Sequence, residues 1–132
     1  MPHSHAVVWI DYKEAHVFRF GREAVEKERI EAHNPFAKVH HKAGSIGSGH
    51  IHGDRDFFDG IVAALDRVTE WLLVGPGVAK NDLLRHVTEH APALKDRLTG
   101  VEPMDHPTDR ALVARARTFF KAFDKLHPVQ AA

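Results

Sequence analysis

Histidines are the residues of this chain whose type and spacing most directly suggest chemistry. The sequence contains 12 histidines and no cysteine, and four of the histidines stand close together as His40, His41, His50 and His52. In an extended segment the His-x-His spacing places both imidazoles on one side of the chain, and neutral imidazole is a good ligand for zinc or nickel. The four histidines are therefore candidate metal ligands, and we expect no cofactor apart from such an ion.

The segment that carries these histidines allows a second interpretation. Residues 33–53 are rich in glycine and serine, which predicts a long irregular loop, and such loops are usually functional or disordered. An unbound metal site with glycine-rich flanks would be costly to order. The alternative is a solvated, pH-responsive loop in which the histidines, with Lys38 and Lys42, contact RNA or another partner. His86 and His90, spaced i,i+4, are a further pair that could clamp a metal.

The second candidate site is the turn within residues 71–80, W-L-L-V-G-P-G-V-A-K. A short apolar run that ends in Gly75 and Gly77, just before a helical pattern, predicts a buried strand leading into a tight strand-to-helix turn. Backbone N–H groups, the helix dipole and the Lys80 ammonium could hold a phosphate there, with Arg85 as a secondary contact. The motif lacks the Gly before Lys and the Ser or Thr after it that a P-loop requires. The alternative is a tight connection with a solvated lysine.

The third candidate is the segment D-H-P-T-D at residues 105–109. Asp105 could orient His106 as a general base. The structural alternative is a turn in which Pro107 fixes the entry and Thr108 caps the following helix, and we favour it because caps are much commoner than catalytic dyads. Asp11 ends the first predicted strand, where a metal-dependent nuclease could place a ligand, but no carboxylate follows on the strand at 71–74.

Hydrophobic periodicity predicts the elements that must position these residues. Strands at 6–10 and 15–20 form a hairpin around the turn 11–14, and residues 24–32, an ambiguous segment, are predicted as a third, edge strand. A helix opening at Asp54 is followed by a strand at 71–74, a helix at 81–90, a strand at 98–104 and a helix from the cap Thr108 to about Phe123. The order βββαβαβα predicts an α/β protein with helices packed on a mixed sheet.

Composition limits the class of protein further. The 132 residues predict a single domain at 1–126 with a frayed tail at 127–132. Basic and acidic residues balance to a net charge of zero, which argues against a domain that binds bare nucleic acid mainly through counterion release. The chain lacks a signal peptide pattern and a membrane-length apolar run. We therefore expect a cytoplasmic protein with no membrane partner.

The element order, with a glycine-containing turn after the fourth strand, resembles the middle domain of the class-1 peptide release factors of eukaryotes and archaea, and the related domain of Pelota-type ribosome rescue factors. Those domains have a ribonuclease H-like arrangement. The chain is more closely similar to bacterial proteins labelled translational machinery protein, in which four motifs occur together. Here the motifs stand at residues 71–81, 90–94, 100–109 and 116–120.

This resemblance implies a translation-associated protein that contacts the ribosome or tRNA. Release factors promote peptidyl-tRNA hydrolysis with a Gly-Gly-Gln loop, whereas the corresponding loop here, at 38–53, contains no glutamine, and the only glutamine is Gln130. The predicted function is therefore binding and not catalysis. The predicted RNA or anion contacts are Lys38, His40, His41, Lys42, His50, His52, Gly75, Gly77, Lys80 and Arg85.

Two other functions remain open at this stage. One is a hydrolase that acts on RNA or a peptidyl-tRNA ester with a histidine-bound metal, or with His106 as its base. The other is a dimeric interaction module, because the edge strand at 24–32 could pair across a two-fold axis.

Overall fold

The computed structural model describes residues 5–21, 24–32 and 48–126, without the side chains of 48–54 and 124–126. The described part contains five strands and four helices. The strands are β1 (His5–Ile10), β2 (Glu14–Phe20), β3 (Val25–Glu31), β4 (Glu70–Gly75) and β5 (Leu98–Pro103). The helices are α1 (Ser48–Ala64), α2 (Ala79–His90), α3 (Pro92–Asp96) and α4 (Asp109–Leu126).

The strands form one mixed sheet in the order β3-β2-β1-β4-β5. β1, β2 and β3 are antiparallel neighbours, whereas β4 and β5 run parallel to β1. The first hairpin is fixed by Asp11, whose carboxylate oxygen Oδ1 accepts hydrogen bonds from the backbone N–H groups of Lys13 and Glu14 at 2.8 and 2.9 Å. Such an Asx-type turn reverses the chain over a few residues and sets Trp9 opposite His16.

Both faces of the central strands are buried, which explains why their sequences are almost continuously apolar. The helices α1, α2 and α3 cover one face, where Trp71 is fully buried and its indole N–H donates to the carbonyl oxygen of Leu94 at 2.9 Å. The amphipathic helix α4 covers the other face through Leu112, Ala116 and Phe120, which pack on alternate residues of β1, β2 and β4.

The predicted α/β class, mixed sheet and strand order along the chain are confirmed, and so is the edge position of β3. The short helix α3 is an addition that the apolar pattern missed, because a single turn opened by Pro92 has too few residues to show a 3.6-residue period. The predicted domain limits of 1 and 126 stay a prediction, and the tail at 127–132 lies outside the described residues.

The prediction that a helix opens at Asp54 is wrong, because α1 begins at Ser48. Glycine costs a helix about 1 kcal/mol relative to alanine but does not forbid it. Once the packed segment of α1 has formed, each residue added at its amino end gains a hydrogen bond without a new nucleation cost. The predicted loop therefore ends before Ser48, and its earlier part, residues 33–47, lies outside the description.

Candidate functional site

The turn after β4 has the strand-to-helix geometry that the sequence predicts. Gly75 and Gly77 have φ angles of 154° and 64°, a region that residues with a side chain rarely adopt. At Gly75 a β-carbon would also lie 2.2 Å from the backbone oxygen of Ile10. The turn is thus built around a close approach of β4 to β1 that only glycine permits.

Lys80 lies inside this turn and not in solvent. Its side chain is 8% exposed, and Nζ donates to the carbonyl oxygens of Gly75 at 2.7 Å and Gly77 at 2.8 Å. The expectation of a solvated lysine is therefore wrong, because the carbonyl groups that the turn directs inward hold the ammonium. Phosphate binding at Gly75, Gly77 and Lys80 stays a prediction, and a phosphate would compete with these two acceptors for Nζ. Arg85 is exposed on α2.

The histidine segment is described only in part. Lys38, His40, His41 and Lys42 lie outside the described residues. His50 and His52 belong to α1, where residues two apart are rotated by about 200° around the axis. The expectation that this His-x-His pair lies on one side of an extended chain is therefore wrong for these two positions.

Among the side chains that the model describes, no group of three or more His, Asp or Glu residues could hold a metal ion. His86 and His90 do lie on one face of α2, with ring centroids 4.7 Å apart. However, Nε2 of His86 is 2.9 Å from Oδ1 of Asp59 on α1, and the imidazole packs at 5.3 Å against Phe58. This buried histidine therefore joins α1 to α2, and zinc or nickel binding by the His40, His41, His50 and His52 set stays a prediction.

A small cleft of about 120 Å³ lies on the α4 face of the sheet, where β1 ends and α4 begins. Its floor is Trp9, which is 3% exposed and whose indole N–H donates to the carbonyl oxygen of Asp105 at 2.9 Å. His16 meets this indole edge-on at 5.5 Å, and His106 packs on it at 4.9 Å. The lining residues are Trp9, Glu14, His16, His106, Pro107, Asp109 and Leu112.

His106 is the exposed member of this cleft. Its Nδ1 is 3.4 Å from Oδ1 of Asp105, and its Nε2 is 3.4 Å from Oδ2 of Asp11, so the imidazole lies between two carboxylates. The ring is 66% exposed and Asp105 is 95% exposed. Both contacts are long for hydrogen bonds, which makes the pair a weak orienting device for a general base.

The structural interpretation of residues 105–109 is confirmed at the cap. Thr108 Oγ1 accepts a hydrogen bond from the backbone N–H of Ala111 at 3.0 Å, which satisfies one of the amino-terminal N–H groups of α4. Asp109, in the first turn of α4, pairs with Lys27 of β3 at 2.8 Å. The cap and this ion pair together fix the start of α4 against the edge of the sheet.

A charged network beside the cleft was not predicted from the sequence. Glu14 lies 3.2 Å from Nε2 of His16 and 2.6 Å from the guanidinium of Arg29, which also contacts Glu31 at 2.8 Å. Burial pushes the pKa of Glu14 upward, but the hydrogen bonds and charges of His16 and Arg29 outweigh it, so the pKa is lowered below 4.5. The hydrogen bond to Glu14 raises the pKa of Arg29.

This network depends on the pairing of three strands. Arg29 lies opposite His16 because β3 pairs with β2 in one register, which is closed at one end by the backbone hydrogen bond from Gly21 to Ala24 at 2.8 Å. Sequence reasoning identified the three strands but did not extend the tight Gly21 turn into a register. That turn was the signal that could have brought these side chains together.

None of the helices in the described ranges is both long and apolar enough to cross a membrane. No family model matches the chain, and no curated protein matches its sequence.

The fold itself has solved relatives. Archaeoglobus fulgidus Pelota superposes with a TM-score of 0.60 at 16% identity, over 89% of this chain and 32% of that one. Thermoplasma acidophilum Pelota gives 0.56 at 20% identity, over 89% and 33%. The archaeal translation termination factor aRF1 gives 0.54 at 12% identity, over 94% and 39%. The chain thus spans about a third of the length of these proteins, and it has the five-stranded, ribonuclease H-like fold that they share with it.

Proposed function

We propose that this protein is a translation-associated binding protein that contacts the ribosome or tRNA in the cytoplasm and does not catalyse peptide release. The observation that carries the proposal is the fold: 94% of the chain superposes on part of a protein described as a translation termination factor. The motifs at residues 71–81 and 100–109 add the similarity to the bacterial proteins labelled translational machinery protein, and we place the chain beside them.

The absence of glutamine from residues 33–53 supports binding without release chemistry. A loop that lacks the Gly-Gly-Gln motif cannot supply the group that release factors present to the peptidyl-tRNA ester. We propose instead that Lys38, His40, His41, Lys42, His50 and His52 contact RNA, with Arg85 as an additional cation on α2.

Fractionation of cells tests this function directly. We expect the protein to sediment with ribosomes or their subunits at low salt and to leave them as salt is raised, because contacts with RNA phosphates are weakened by counterions. A loop variant with Lys38, His40, His41 and Lys42 changed to Ala is expected to sediment less. The matched control, with the exposed Arg67 and Lys95 changed to Ala, should sediment as the wild type does. Absence from every ribosomal fraction, in growing and in stressed cells, would contradict the proposal.

The alternative function is hydrolysis of RNA or a peptidyl-tRNA ester. One observation favours it, namely that the imidazole of His106 lies between Asp105 and Asp11 beside a cleft. Its long contacts and 66% exposure make it a poor candidate for a general base held in place. Hydrolysis of purified peptidyl-tRNA that is lost in H106A, or that needs zinc and is lost in H40A/H41A, would establish this alternative. No turnover with or without zinc rules it out.

The second alternative, a dimer formed through β3, meets an electrostatic obstacle. A two-fold pairing that used the whole of Val25–Glu31 would centre on Glu28, so this carboxylate would face its own copy and Lys27 would face Arg29. Like charges directly opposite each other destabilise a strand pair, and charged edge strands commonly prevent such pairing. Light scattering tests this alternative, which requires a particle of twice the mass of the chain.

A further inference from the structure

The outward face of α4 differs from the rest of the surface in its charge. Its exposed residues beyond the first position are three cations and a set of small residues, with no carboxylate among the side chains described up to Phe123. These exposed residues are Arg110, Ala111, Ala114, Arg117, Thr118, Lys121 and Ala122. We refer to Arg110, Arg117 and Lys121 as the basic stripe.

The three cations form a line along the helix. With 3.6 residues per turn, Arg110, Arg117 and Lys121 fall within about 40° of one another around the axis, and with a rise of 1.5 Å per residue they span about 16 Å. The residues between them on this face are alanines and a threonine. A long partner can therefore approach the helix closely along its whole outward side.

The neighbouring acids do not neutralise this stripe because other cations already pair with them. Asp109 is 2.8 Å from Nζ of Lys27. Glu102 accepts two hydrogen bonds from Arg115, at 2.9 and 2.6 Å, and this pairing raises the pKa of the arginine. The guanidinium of Arg117 lies 5.3 Å above the ring of Phe20. Within the described part of the chain, none of the three stripe residues forms a salt bridge.

We propose that the basic stripe is a binding surface for the phosphate backbone of RNA. The inference deepens the proposed function and rests on it, because it names the part of the surface that would meet ribosomal RNA or tRNA. A linear set of cations matches a linear array of phosphates, and Arg and Lys make most of the phosphate contacts in such interfaces. The contact is independent of base sequence, since the helix presents no amide or aromatic group between the cations.

The composition of the stripe favours RNA over a membrane. A helix that binds at a lipid surface places large apolar residues such as Trp, Phe or Leu at the edge of its polar face. On α4 the large apolar side chains Leu112, Phe119 and Phe120 are used by the core or its margin, and the exposed positions carry only Ala and Thr beside the cations. The face therefore offers charge without an apolar anchor.

Anisotropy of a fluorescein-labelled RNA hairpin, titrated with the full chain over a range of KCl concentrations, tests the inference. The stripe variant is R110Q/R117Q/K121Q, in which glutamine preserves helix propensity. The matched control, R55Q/R67Q/K95Q, removes the same charge from exposed residues in or after the helices of the other face. Loss of three phosphate contacts should reduce the slope of log Kd against log salt by about 2–3. The control should keep the wild-type slope.

Several results would overturn the inference. These are an equal loss of affinity in both variants, no binding of the hairpin by the wild type at low salt, or stripe-dependent binding to phosphatidylserine vesicles without binding to RNA. If the triple variant does not fold, the single variants R110Q, R117Q and K121Q are each expected to lower the slope by about 0.7–0.9, and unchanged slopes would have the same meaning.

The two proposals can fail separately. Stripe-dependent binding of the hairpin without sedimentation on ribosomes would support the surface and contradict the proposed function. Sedimentation on ribosomes that is equal for the wild type and the stripe variant would support the proposed function and contradict the surface.

Discussion

The ammonium group of Lys80 illustrates how the same residue can be a ligand site or part of the fold. A lysine that follows a glycine turn at the start of a helix can meet a phosphate. Here the carbonyl oxygens of Gly75 and Gly77 accept from Nζ at 2.7 and 2.8 Å. In this structure the group stabilises the connection between β4 and α2.

Changing Lys80 to Met is therefore expected to destabilise the fold. The variant keeps the aliphatic stem but leaves two inward carbonyl groups without their donor, and hydrogen bonds to a charged group contribute about 1.5–3 kcal/mol. We expect the free energy of unfolding, measured with urea, to fall by about 2 kcal/mol. The exposed Lys95, changed to Met, should alter it by less than about 0.5 kcal/mol. Equal stability of the two variants would show that Lys80 does not hold the turn.

Glu14 gives the fold a predictable dependence on pH. Its pKa in the folded protein is below 4.5, since the interactions with His16 and Arg29 exceed the effect of burial. A carboxyl group with a lowered folded pKa contributes stability above its unfolded pKa and loses that contribution as pH falls through the folded value. The wild type should therefore lose more stability than E14Q as pH falls below 4.5.

Urea unfolding at a series of pH values measures this difference. The two stability curves should lie furthest apart near neutral pH and approach each other in acid. The exposed Glu89, changed to Gln, is the matched control and should follow the wild-type curve. A gap between wild type and E14Q that widens in acid would contradict the sign of the shift.

At the scale of single elements, α4 depends on the residues that begin it. Thr108 accepts the N–H of Ala111 at 3.0 Å, and Asp109 pairs with Lys27 at 2.8 Å. The helix in turn covers the face of the sheet that contains Trp9, Leu72 and Val74. The start of α4 therefore sets the position of the basic stripe relative to the sheet.

Replacement of Thr108 by Ala is expected to lower the free energy of unfolding by about 1 kcal/mol, the usual cost of losing an amino-terminal cap. Thr118, exposed on the same helix, is the matched control. Its replacement by Ala should leave stability unchanged or raise it slightly, because alanine has the higher helix propensity. Thermal unfolding followed by circular dichroism distinguishes the two, and equal melting temperatures would show that the cap is not formed.

The elements were predictable to the extent that a local pattern records them. Alternating burial and the Asp11 turn predict the first hairpin, and Thr108 predicts the start of α4. The amino end of α1 was missed because glycine at 49 and 53 lowers helix propensity without forbidding a helix. The Glu14–Arg29 network was missed because it joins residues from different strands, and their meeting depends on register, which only the Gly21 turn signals.

At the scale of the whole molecule, a net charge of zero makes the local arrangement of charge decisive. Fields of exposed charges decay over roughly 8–10 Å at moderate salt. The basic stripe on α4 can thus attract phosphates even though the chain as a whole is neutral. Binding that depends on such a surface should weaken steeply as salt is raised.

The shared fold and this local charge support one account, in which the protein binds the translation machinery through RNA. The fold resembles part of Pelota and aRF1, while the segment at residues 33–53 contains no glutamine. The predicted contacts in that segment and the basic stripe on α4 would then be two parts of one binding mode. Neither part requires a catalytic group.

Sedimentation of the purified, untagged full chain with bacterial ribosomes through a sucrose cushion tests this account most directly. We expect saturable co-sedimentation at low salt that is reduced by the loop variant and by R110Q/R117Q/K121Q, and retained by R55Q/R67Q/K95Q. If the wild-type chain stays in the supernatant at every salt concentration, with empty ribosomes and with ribosomes carrying peptidyl-tRNA, the account is wrong.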